Sequence, residues 1–340
     1  MKAPATAGRT DVTGAAEAAG VAGAAPGGAG GTSAIFTAAV TLEPAEPEHF
    51  QLAFTAVTQP CPWPKAYGGD LVAQAAAAAM RSVTDGKTLH SMHSYFLRPA
   101  DIGAPVRYEV ELLRDGRGYS TRQVRGYQNG KPVYACLASF AAGETGGTFE
   151  ASPGDTALGR AGSIPGPEDL PASAAYLDAQ AGTAAAEASS MTAQSRAYWS
   201  GGRSFDIRHV PGPVYLTVEG ERVPYQAVWL KPYDALRPVP GLSHEQRDLA
   251  ALAYVCDYTI LEPVLRVLGL PWAKPGLVTA SLDHAMWFHR PGAAVAGDWL
   301  LYAQEAVAAE EGRGVGAGKF FTRDHRHLAT VVQEGIFRSA

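Results

Sequence analysis

Residues 277–291, LVTASLDHAMWFHRP, form the stretch around which the rest of the chain is organised. The run is rich in apolar residues, contains two histidines, an acid and two hydroxyl residues, and ends at an Arg-Pro pair. This pattern predicts a buried strand with polar groups at its ends. Residues 89–99, LHSMHSYFLRP, have the same build, with histidines and aromatic residues before Arg-Pro. Two such strands in one chain indicate a duplication.

The composition is that of a globular protein without a nucleic-acid surface. Of the 340 residues, 46% are hydrophobic and 18% are charged, which supports one large core or two ordinary ones. The net charge of -5 argues against a nucleic-acid partner, because phosphate binding requires a concentrated basic surface. No run of about 18 apolar residues is present, so no membrane span is expected. The widely spaced Cys61, Cys136 and Cys256 predict neither disulfides nor a zinc site, and they favour a reducing cytoplasm.

Two segments lack the periodicity of core-forming structure. Residues 1–33 are dominated by Ala, Gly, Thr and Pro and are predicted to be a disordered tail. A signal peptide is the rival interpretation, but Gly, Arg, Asp, Thr and Glu interrupt every apolar run. Residues 143–203 return to Gly, Ala, Ser and Pro and predict a linker, with one weak helix over residues 172–198. This linker would join two units, residues 34–142 and residues 204–340.

Each unit is predicted to contain a helix beside an antiparallel sheet. Five consecutive alanines before Met80 predict a buried helix beginning near Gly68, because alanine has high helix propensity and little bulk. In the second unit, apolar residues at helical spacing predict one long helix over about residues 244–268. Strands are predicted for one or two edge segments within 35–57, for 88–98, 105–114, 118–127 and 132–141, for 205–210 and 226–231, and for four segments between 277 and 338.

Three landmarks repeat in the same order along the two units. An acid three residues after a tyrosine, an Arg-Pro pair and a Gly-Arg-Gly triplet recur at separations of 187 (257 − 70), 192 (290 − 98) and 196 (312 − 116) residues. Separations that grow slowly along the chain are expected from a duplication with small loop insertions. A helix followed by an antiparallel sheet, twice, is the layout of a double hotdog, in which each sheet wraps its helix.

A set of short motifs distributed over both units carries a family resemblance. They are YGG at 67–69, HSYFLRP at 93–99, LRDG at 113–116, QNGKP at 128–132, SLDHAMWFHRP at 281–291, WLLY at 299–302 and VQEG at 332–335. As a set, over roughly residues 34–340, they resemble the TesB-like acyl-CoA thioesterase II family, although each motif alone would be weak. The resemblance implies an α+β double hotdog of two tandem units, each with a long helix wrapped by an antiparallel sheet.

The resemblance also implies where a hydrolytic site would lie. That family holds the attacking water with an acid, a hydroxyl residue and a glutamine, which fall on Asp257, Ser281 and Gln333. The implied partner is an acyl-CoA substrate, and neither a cofactor nor a metal ion is implied. Asp70 departs from the family, which more often has glutamine after the two glycines. Whether Asp70 only packs at the helix start or also contacts the substrate is left open.

The residues fit the chemistry of thioester hydrolysis. The reaction needs a positioned water, a base for its proton and donors for the oxygen on which negative charge develops. Asp257 follows an apolar run, and burial raises the pKa of a carboxyl group towards neutrality, so it suits the base. Ser281 and Gln333 lack an ionisable group and suit orienting the water. The backbone N–H groups of Gly68 and Gly69, at a helix start, would receive the thioester oxygen.

Several of these side chains also carry a purely structural interpretation. An acid within a helix is more often a solvated charge, and Asp257 gains its catalytic interpretation mainly from the resemblance. His93 and His284 could serve as bases, but a histidine on an aromatic strand is more often a hydrogen-bonded core residue. Cys256 could be a nucleophile, but it lies on the apolar face of the predicted helix with no evident base beside it.

Other classes of function are weighed against hydrolysis by a held water. A serine hydrolase of the α/β type would need Gly-x-Ser-x-Gly, which the sequence lacks. A hotdog dehydratase acting on enoyl-CoA or hydroxyacyl-CoA stays open as an alternative, as does a non-catalytic acyl-CoA binding protein, because a fold does not determine function. The intact set of Asp257, Ser281 and Gln333 favours the hydrolase. Exposed sheet edges in such folds favour a homo-oligomer.

Overall fold

The computed structural model describes residues 32–290, 295 and 297–339. Residues 1–31 of the predicted disordered tail lie outside the described residues. The last two residues of that predicted tail belong to the folded chain instead. The Ser33 side chain is buried, and its backbone N–H donates to Asp234 Oδ1 at 2.6 Å. The tail prediction is therefore wrong for Thr32 and Ser33, which lead directly into the first helix.

The first half of the chain forms two helices and six strands. They are α1 (Ala34–Val40), β1 (Glu43–Ala45), β2 (Leu52–Val57), α2 (Gly68–Arg81), β3 (Thr88–Phe96), β4 (Pro105–Asp115), β5 (Tyr119–Gln128) and β6 (Lys131–Ala141). The alanine-rich helix and the four long strands are confirmed. The one or two edge strands predicted within residues 35–57 are β1 and β2 at the sheet edge, while the apolar sequence before them forms α1 and buries Phe36.

The second half contains nine further helices and strands, preceded by four short α-helices in the predicted linker. They are α3 (Ala157–Ala161), α4 (Ser173–Ala179), α5 (Ala184–Glu187), α6 (Ala193–Ala197), β7 (Phe205–Val210), β8 (Tyr225–Pro232), α7 (His244–Val255), α8 (Glu262–Leu268), β9 (Leu277–Ser281), β10 (Asp283–Phe288), β11 (Leu300–Glu310), β12 (Arg313–Thr322) and β13 (His327–Ser339). Helices α3 to α6 all lie between residues 143 and 203.

The segment predicted as a linker packs against the sheet. Its side chains Leu158, Ile164 and Leu170 cover a cluster on the outer face of the second half of the sheet, which includes Trp229. The indole N–H of Trp229 donates to the Pro165 carbonyl oxygen at 2.9 Å. The weak helix predicted over residues 172–198 is divided into α4, α5 and α6. The linker prediction is wrong because scattered apolar residues suffice to cover a preformed apolar surface.

The long helix predicted over residues 244–268 is broken. After α7 the chain forms a 3-10 turn, Cys256–Tyr258, and resumes as α8. Pro263 lies in the first turn of α8, where its missing N–H costs nothing, whereas inside a continuous helix its ring would clash with the preceding turn. Asp257 was predicted to lie within this long helix. It lies instead in the 3-10 turn before α8.

Residues 277–291, predicted as a single strand, likewise contain two strands. Strand β9 ends at Ser281 and β10 begins at Asp283, so Leu282 separates them. Side chains on β9 alternate between intermediate and exposed, which corrects the prediction of one buried strand over residues 277–291. The buried part of the stretch is β10, where Met286 and Phe288 face the core.

The sheet topology repeats about its centre. Its strands run in the order β1-β2-β4-β5-β6-β3-β10-β13-β12-β11-β8-β7, with β9 also paired to β13. Read inwards from each edge, the two halves have the same order of equivalent strands, β1-β2-β4-β5-β6-β3 and β7-β8-β11-β12-β13-β10. Strands β3 and β10 join the halves as antiparallel neighbours. This repeat confirms the double hotdog, while the unit boundaries at residues 34–142 and 204–340 stay predictions.

Each half of the sheet curves around its own helix. Helix α2 packs on strands β2 to β6, and α8 packs on β8, β11 and β12. Helix α7 packs against α2 between the two halves, where the alanine side chains of α2 permit a close approach. Among the helices of the described residues, none is both long and apolar enough to span a bilayer.

Candidate active site

Asp257, Ser281 and Gln333 meet at one point, and they are called the trio from here on. Gln333 Nε2 donates to Asp257 Oδ1 at 2.6 Å and lies 2.8 Å from Ser281 Oγ. Ser281 Oγ donates to the same Asp257 oxygen at 3.1 Å. The three side chains come from separate elements, the 3-10 turn before α8, the end of β9 and the middle of β13. The structure thus brings together all three residues for which the sequence predicted a catalytic role.

Each member of the trio owes its position to a local feature of the chain. The break before Pro263 holds Asp257 in a tight turn rather than on a helix face. Ser281 is the last residue of β9 and pairs with Gly335 on β13. Gln333 faces the interior of the sheet with its side chain buried, whereas Asp257 and Ser281 keep a partly exposed edge. The trio is therefore fixed to the sheet through the buried Gln333, and a substrate can approach it from the partly exposed side of Asp257 and Ser281.

The pKa of Asp257 is raised, which suits a base acting near neutral pH. Burial raises this pKa to about 6, because the charged form loses solvation. The hydrogen bonds from Gln333 and Ser281 oppose the shift, as does the backbone N–H of Gly69. Asp257 is thus ionised at neutral pH, yet its pKa is close enough to neutrality for it to receive a proton.

The start of α2 lies directly against the Asp257 carboxyl group. A Cβ atom at Gly68 would lie 2.6 Å from Asp257 Oδ2, and one at Gly69 would lie 2.3 Å from the Tyr254 carbonyl oxygen. The Tyr67 hydroxyl donates to that same carbonyl at 2.6 Å and ties the start of α2 to the end of α7. Glycine is required at both positions because any side chain would separate the helix from the carboxylate. The positive end of the α2 dipole also favours the ionised carboxylate.

Asp70 lies in the first turn of α2, but its hydrogen bond goes to a loop and not to the trio. Its side chain is fully buried, and Oδ2 accepts from the Gln59 backbone N–H at 2.7 Å. Burial raises the pKa of Asp70 to about 7, the Gln59 N–H lowers it, and the charge of Asp257 raises it further. The predicted contact of Asp70 with substrate stays a prediction, and the structure gives it a role in packing.

The two histidines and the cysteine weighed as catalytic groups take no part in the hydrogen bonds of the trio, although Cys256 directly precedes Asp257. Cys256 Sγ is 3.1 Å from His284 Nε2, and both side chains are buried. Burial, with the nearby charge of His93, lowers the pKa of His284 to about 3, and burial raises that of Cys256 well above its usual value. His93 is exposed and stacks edge-on against Trp287 at 5.1 Å. The core interpretation of His284 and Cys256 therefore fits the structure.

The duplication creates a second position equivalent to the trio. The separation of 192 residues between the Arg-Pro pairs equates Ser281 with Leu89, and the strand register equates Gln333 with Ala138. Asp70 is the counterpart of Asp257 in the repeated pattern. Leu89 and Ala138 are buried and have no polar side-chain atom, so they cannot orient a water. Only one of the two related positions carries a complete set.

Sequence-family models match both halves of the chain. One, described as acyl-CoA thioesterase, covers residues 202–336, and another, described as acyl-CoA thioesterase N-terminal domain, covers residues 58–141. Human acyl-coenzyme A thioesterase 8 is 30% identical over 307 residues, which span 90% of this chain and 89% of that protein. The chain belongs to the acyl-CoA thioesterase family. Family membership confirms the expectation of a thioester hydrolase.

Other members of the acyl-CoA thioesterase family agree in sequence and in fold. Acyl-CoA thioesterase 2 of Haemophilus influenzae is 30% identical over 290 residues, which span 84% of this chain and 92% of that protein. The crystal structure of an acyl-CoA thioesterase II, TesB2, from Mycobacterium marinum matches with a TM-score of 0.64 and 29% identity. That match covers 90% of this chain and 98% of the other. The resemblance read from the motifs is thereby confirmed.

Proposed function

We propose that this thioesterase hydrolyses acyl-CoA to a free carboxylic acid and CoA by direct attack of a water held by the trio. The observation that carries the proposal is the closed set of hydrogen bonds among Asp257, Ser281 and Gln333 at the start of α2. An acid of raised pKa, two neutral polar groups and a helix start are the parts that this reaction requires.

The steps follow from the chemistry of the groups. The water oxygen attacks the thioester carbonyl carbon, and Asp257 takes the water proton. The carbonyl oxygen becomes negative and is stabilised by the Gly68 backbone N–H and the positive end of α2. The Gly69 N–H, also predicted to bind this oxygen, donates to Asp257 instead. When the tetrahedral intermediate collapses, the C–S bond breaks and Asp257 returns the proton to the CoA sulfur. No acyl group is attached to the protein at any stage.

Ser281 and Gln333 orient the water and the carboxylate. Both are neutral over the whole working range of pH, so they cannot transfer the proton themselves. Gln333 Oε1 is buried and has no hydrogen-bond donor within the described part of the chain. That oxygen is therefore an available acceptor for a water bound beside Asp257. A buried acceptor without a partner is costly, which favours its use in binding.

A thiol-release assay over a panel of acyl-CoA chain lengths tests the proposal and reports the acyl preference. The dehydratase alternative is tested on the same preparation with enoyl-CoA and hydroxyacyl-CoA, following the double bond spectroscopically. Release of CoA without change in the double bond supports hydrolysis. Hydration without CoA release would assign the dehydratase, and saturable binding without either reaction would assign the non-catalytic binding protein.

The rate of hydrolysis should depend on the ionisation of Asp257. Because burial raises this pKa to about 6, kcat/KM should fall about tenfold per pH unit below that value and level off above it. The value of kcat/KM falls towards low pH because the base accepts a proton only when it is ionised. CoA release is quantified by chromatography after quenching, since thiol dyes respond poorly in acid. A profile that stays flat down to about pH 4.5 would contradict the assignment.

Cys256→Ala should leave the hydrolysis rate close to that of the unmodified protein. The sulfur is fully buried, donates to the Ala253 carbonyl oxygen at 3.2 Å and contacts His284, so it cannot reach a substrate carbonyl. Mass spectrometry of protein quenched during turnover provides the matched readout. An acyl adduct on Cys256 or Ser281 would replace the held-water mechanism with a covalent one.

The predicted self-association and compartment are proposed on separate grounds. On the outer face of the central strands, Tyr95 and Trp287 are 61% and 36% exposed, which is a large exposure for aromatic side chains. We infer a homo-oligomer, to be measured by sedimentation equilibrium.

Free, buried cysteines are compatible with the cytoplasmic location predicted from the sequence.

A further inference from the structure

A β-bulge interrupts the sheet between two members of the trio. Ser281 pairs with Gly335, and Ala285 pairs with Val332. The three residues 282–284 therefore lie opposite only two residues, 333–334, of β13. Leu282 bridges the gap on one side, with its N–H donating to the Glu334 carbonyl oxygen at 2.9 Å. One extra residue at this point bends the strand next to the site.

The bulge changes which side chains face the interior. Strict alternation after Ser281 would place residues 283, 285 and 287 on the side of the trio. Instead His284 and Met286 are 1% and 0% exposed, and Trp287 lies on the outer face. The extra residue thus allows Ser281 to reach Asp257 while the apolar side of β10 still faces the core. The position of Ser281 relative to Gln333 depends on this bulge.

The Asp283 side chain completes the hydrogen bonding at the bulge. Its Oδ1 accepts the backbone N–H of Glu334 at 2.9 Å, taking the place of a strand carbonyl. Glu334 directly follows Gln333 on β13, and Asp283 lies two residues after Ser281. One carboxylate therefore fixes the backbone beside Gln333 to the backbone beside Ser281.

We propose that Asp283 is a positioning residue, whose bond to the Glu334 N–H holds Ser281 and Gln333 at hydrogen-bonding distance from Asp257. The inference rests on the proposed function, because positioning matters only if the trio holds the water. Asp283 does not contact Asp257 itself, and it acts through the backbone on both sides of the bulge. Displacement of a catalytic group by about 1 Å is enough to cost up to about 10²-fold in rate.

The first half of the chain contains the same bulge without the carboxylate. Leu89 pairs with Phe140 and His93 with Leu137, so three residues again lie opposite two. The separation of 192 residues places Ser91 at the position of Asp283. The bulge of the first half therefore forms with serine at the position that corresponds to Asp283. The carboxylate occurs in the half that carries the trio, which ties it to the site and not to the fold.

Asp283→Ser and Asp283→Ala should fold and lower kcat by about 10- to 10²-fold with little change in KM. The acid limb of the pH profile should also move up by about half to one pH unit, because hydrogen bonds from Gln333 and Ser281 hold the pKa of Asp257 down. Asp283→Asn keeps an oxygen acceptor for the Glu334 N–H and should restore most of the rate and the original limb.

Asp155→Ala is the matched control. Asp155 also accepts a backbone N–H, that of Ser152 at 2.7 Å, but it lies in the segment that covers the outer face of the sheet. Its loss should change neither kcat nor the pH profile. A variant that only loses stability would keep the acid limb of its pH profile at the original pH. A shift of the acid limb in the Asp283 variants, absent from Asp155→Ala, therefore distinguishes positioning from a loss of folding.

Several outcomes would overturn the inference. An unchanged rate and acid limb in Asp283→Ser and Asp283→Ala, with Asp257→Asn inactive, would refute the role of Asp283 and leave the proposed function standing. Loss of folding in both variants would assign the carboxylate to stability alone. Full activity in Asp257→Asn would refute the proposed function itself, whatever the Asp283 variants do.

Discussion

Asp257→Asn is expected to lower turnover by about 10²- to 10⁴-fold while substrate binding changes little, the range that general-base catalysis contributes. Asparagine has the size of aspartate but cannot accept the water proton. It also retains an oxygen that can accept from Gln333 Nε2 and Ser281 Oγ, which lie 2.6 and 3.1 Å from Asp257 Oδ1. The trio can therefore keep its shape in the variant, and the loss reports the base.

Ser281→Ala and Gln333→Ala provide the comparison for that result. Each should cost less than Asp257→Asn, because each removes one group that orients the water but leaves the base in place. Their effects should not add to that of Asp257→Asn, since all three residues act on one water. Double variants, each measured against both single variants, give this coupling directly.

Single-turnover hydrolysis in ¹⁸O-labelled water completes the test. One labelled oxygen should appear in the product acid, and no label should enter a protein carboxyl group. Wild-type rates in Asp257→Asn would exclude Asp257 as the base. Label in the Asp257 side chain would instead show that the carboxylate attacks the thioester, forming an anhydride that water then opens.

Much of the first half could be predicted from the sequence because local and tertiary preferences agree there. Alanines favour both a helix and a close approach between helices, so α2 is found where it was predicted. The turn at Asn129 and Gly130 has positive φ at both residues, as the hairpin requires. Strands β3 to β6 follow within two residues of their predicted bounds.

The errors in the second half arise where periodicity spans a break. Apolar residues at helical spacing continue on both sides of residues 256–261, so the pattern predicts one helix. Pro263 was the signal for the break, since proline is tolerated at a helix start and not in its interior. The bulge at residues 282–284 is harder to foresee, because it appears only when Ser281 and Gln333 are placed on paired strands.

The candidate site was predictable as a set of residues but not as a geometry. Asp257, Ser281 and Gln333 are separated by 24 and 52 residues (281 − 257 and 333 − 281), and each is an ordinary residue in its own segment. Their grouping came from the resemblance. The hydrogen bonds among them, the raised pKa of Asp257 and the contact with Gly68 depend on strand pairing that the sequence does not state.

Gly69→Ala is expected to destabilise the folded protein, by roughly 1–3 kcal/mol, the usual cost of overpacking a filled interior. The new Cβ would lie 2.3 Å from the Tyr254 carbonyl oxygen and 2.4 Å from Tyr67 Cε1, far inside contact distance. Alanine gains up to about 1 kcal/mol over glycine in a helix, but position 69 is in the first turn, where that gain is smaller. The clash therefore outweighs the propensity.

The clash in Gly69→Ala cannot be relieved by a side-chain rotation alone, because Tyr254 contributes a backbone atom. The start of α2 must move away from the end of α7, which breaks the 2.6 Å hydrogen bond from Tyr67 to Tyr254 and withdraws the helix from Asp257. The melting temperature and kcat should therefore both fall. Gly118→Ala is the control, since its Cβ would meet only a Glu144 side-chain oxygen at 3.6 Å. An unchanged melting temperature in Gly69→Ala would mean that α2 and α7 are not packed as closely as the structure has them.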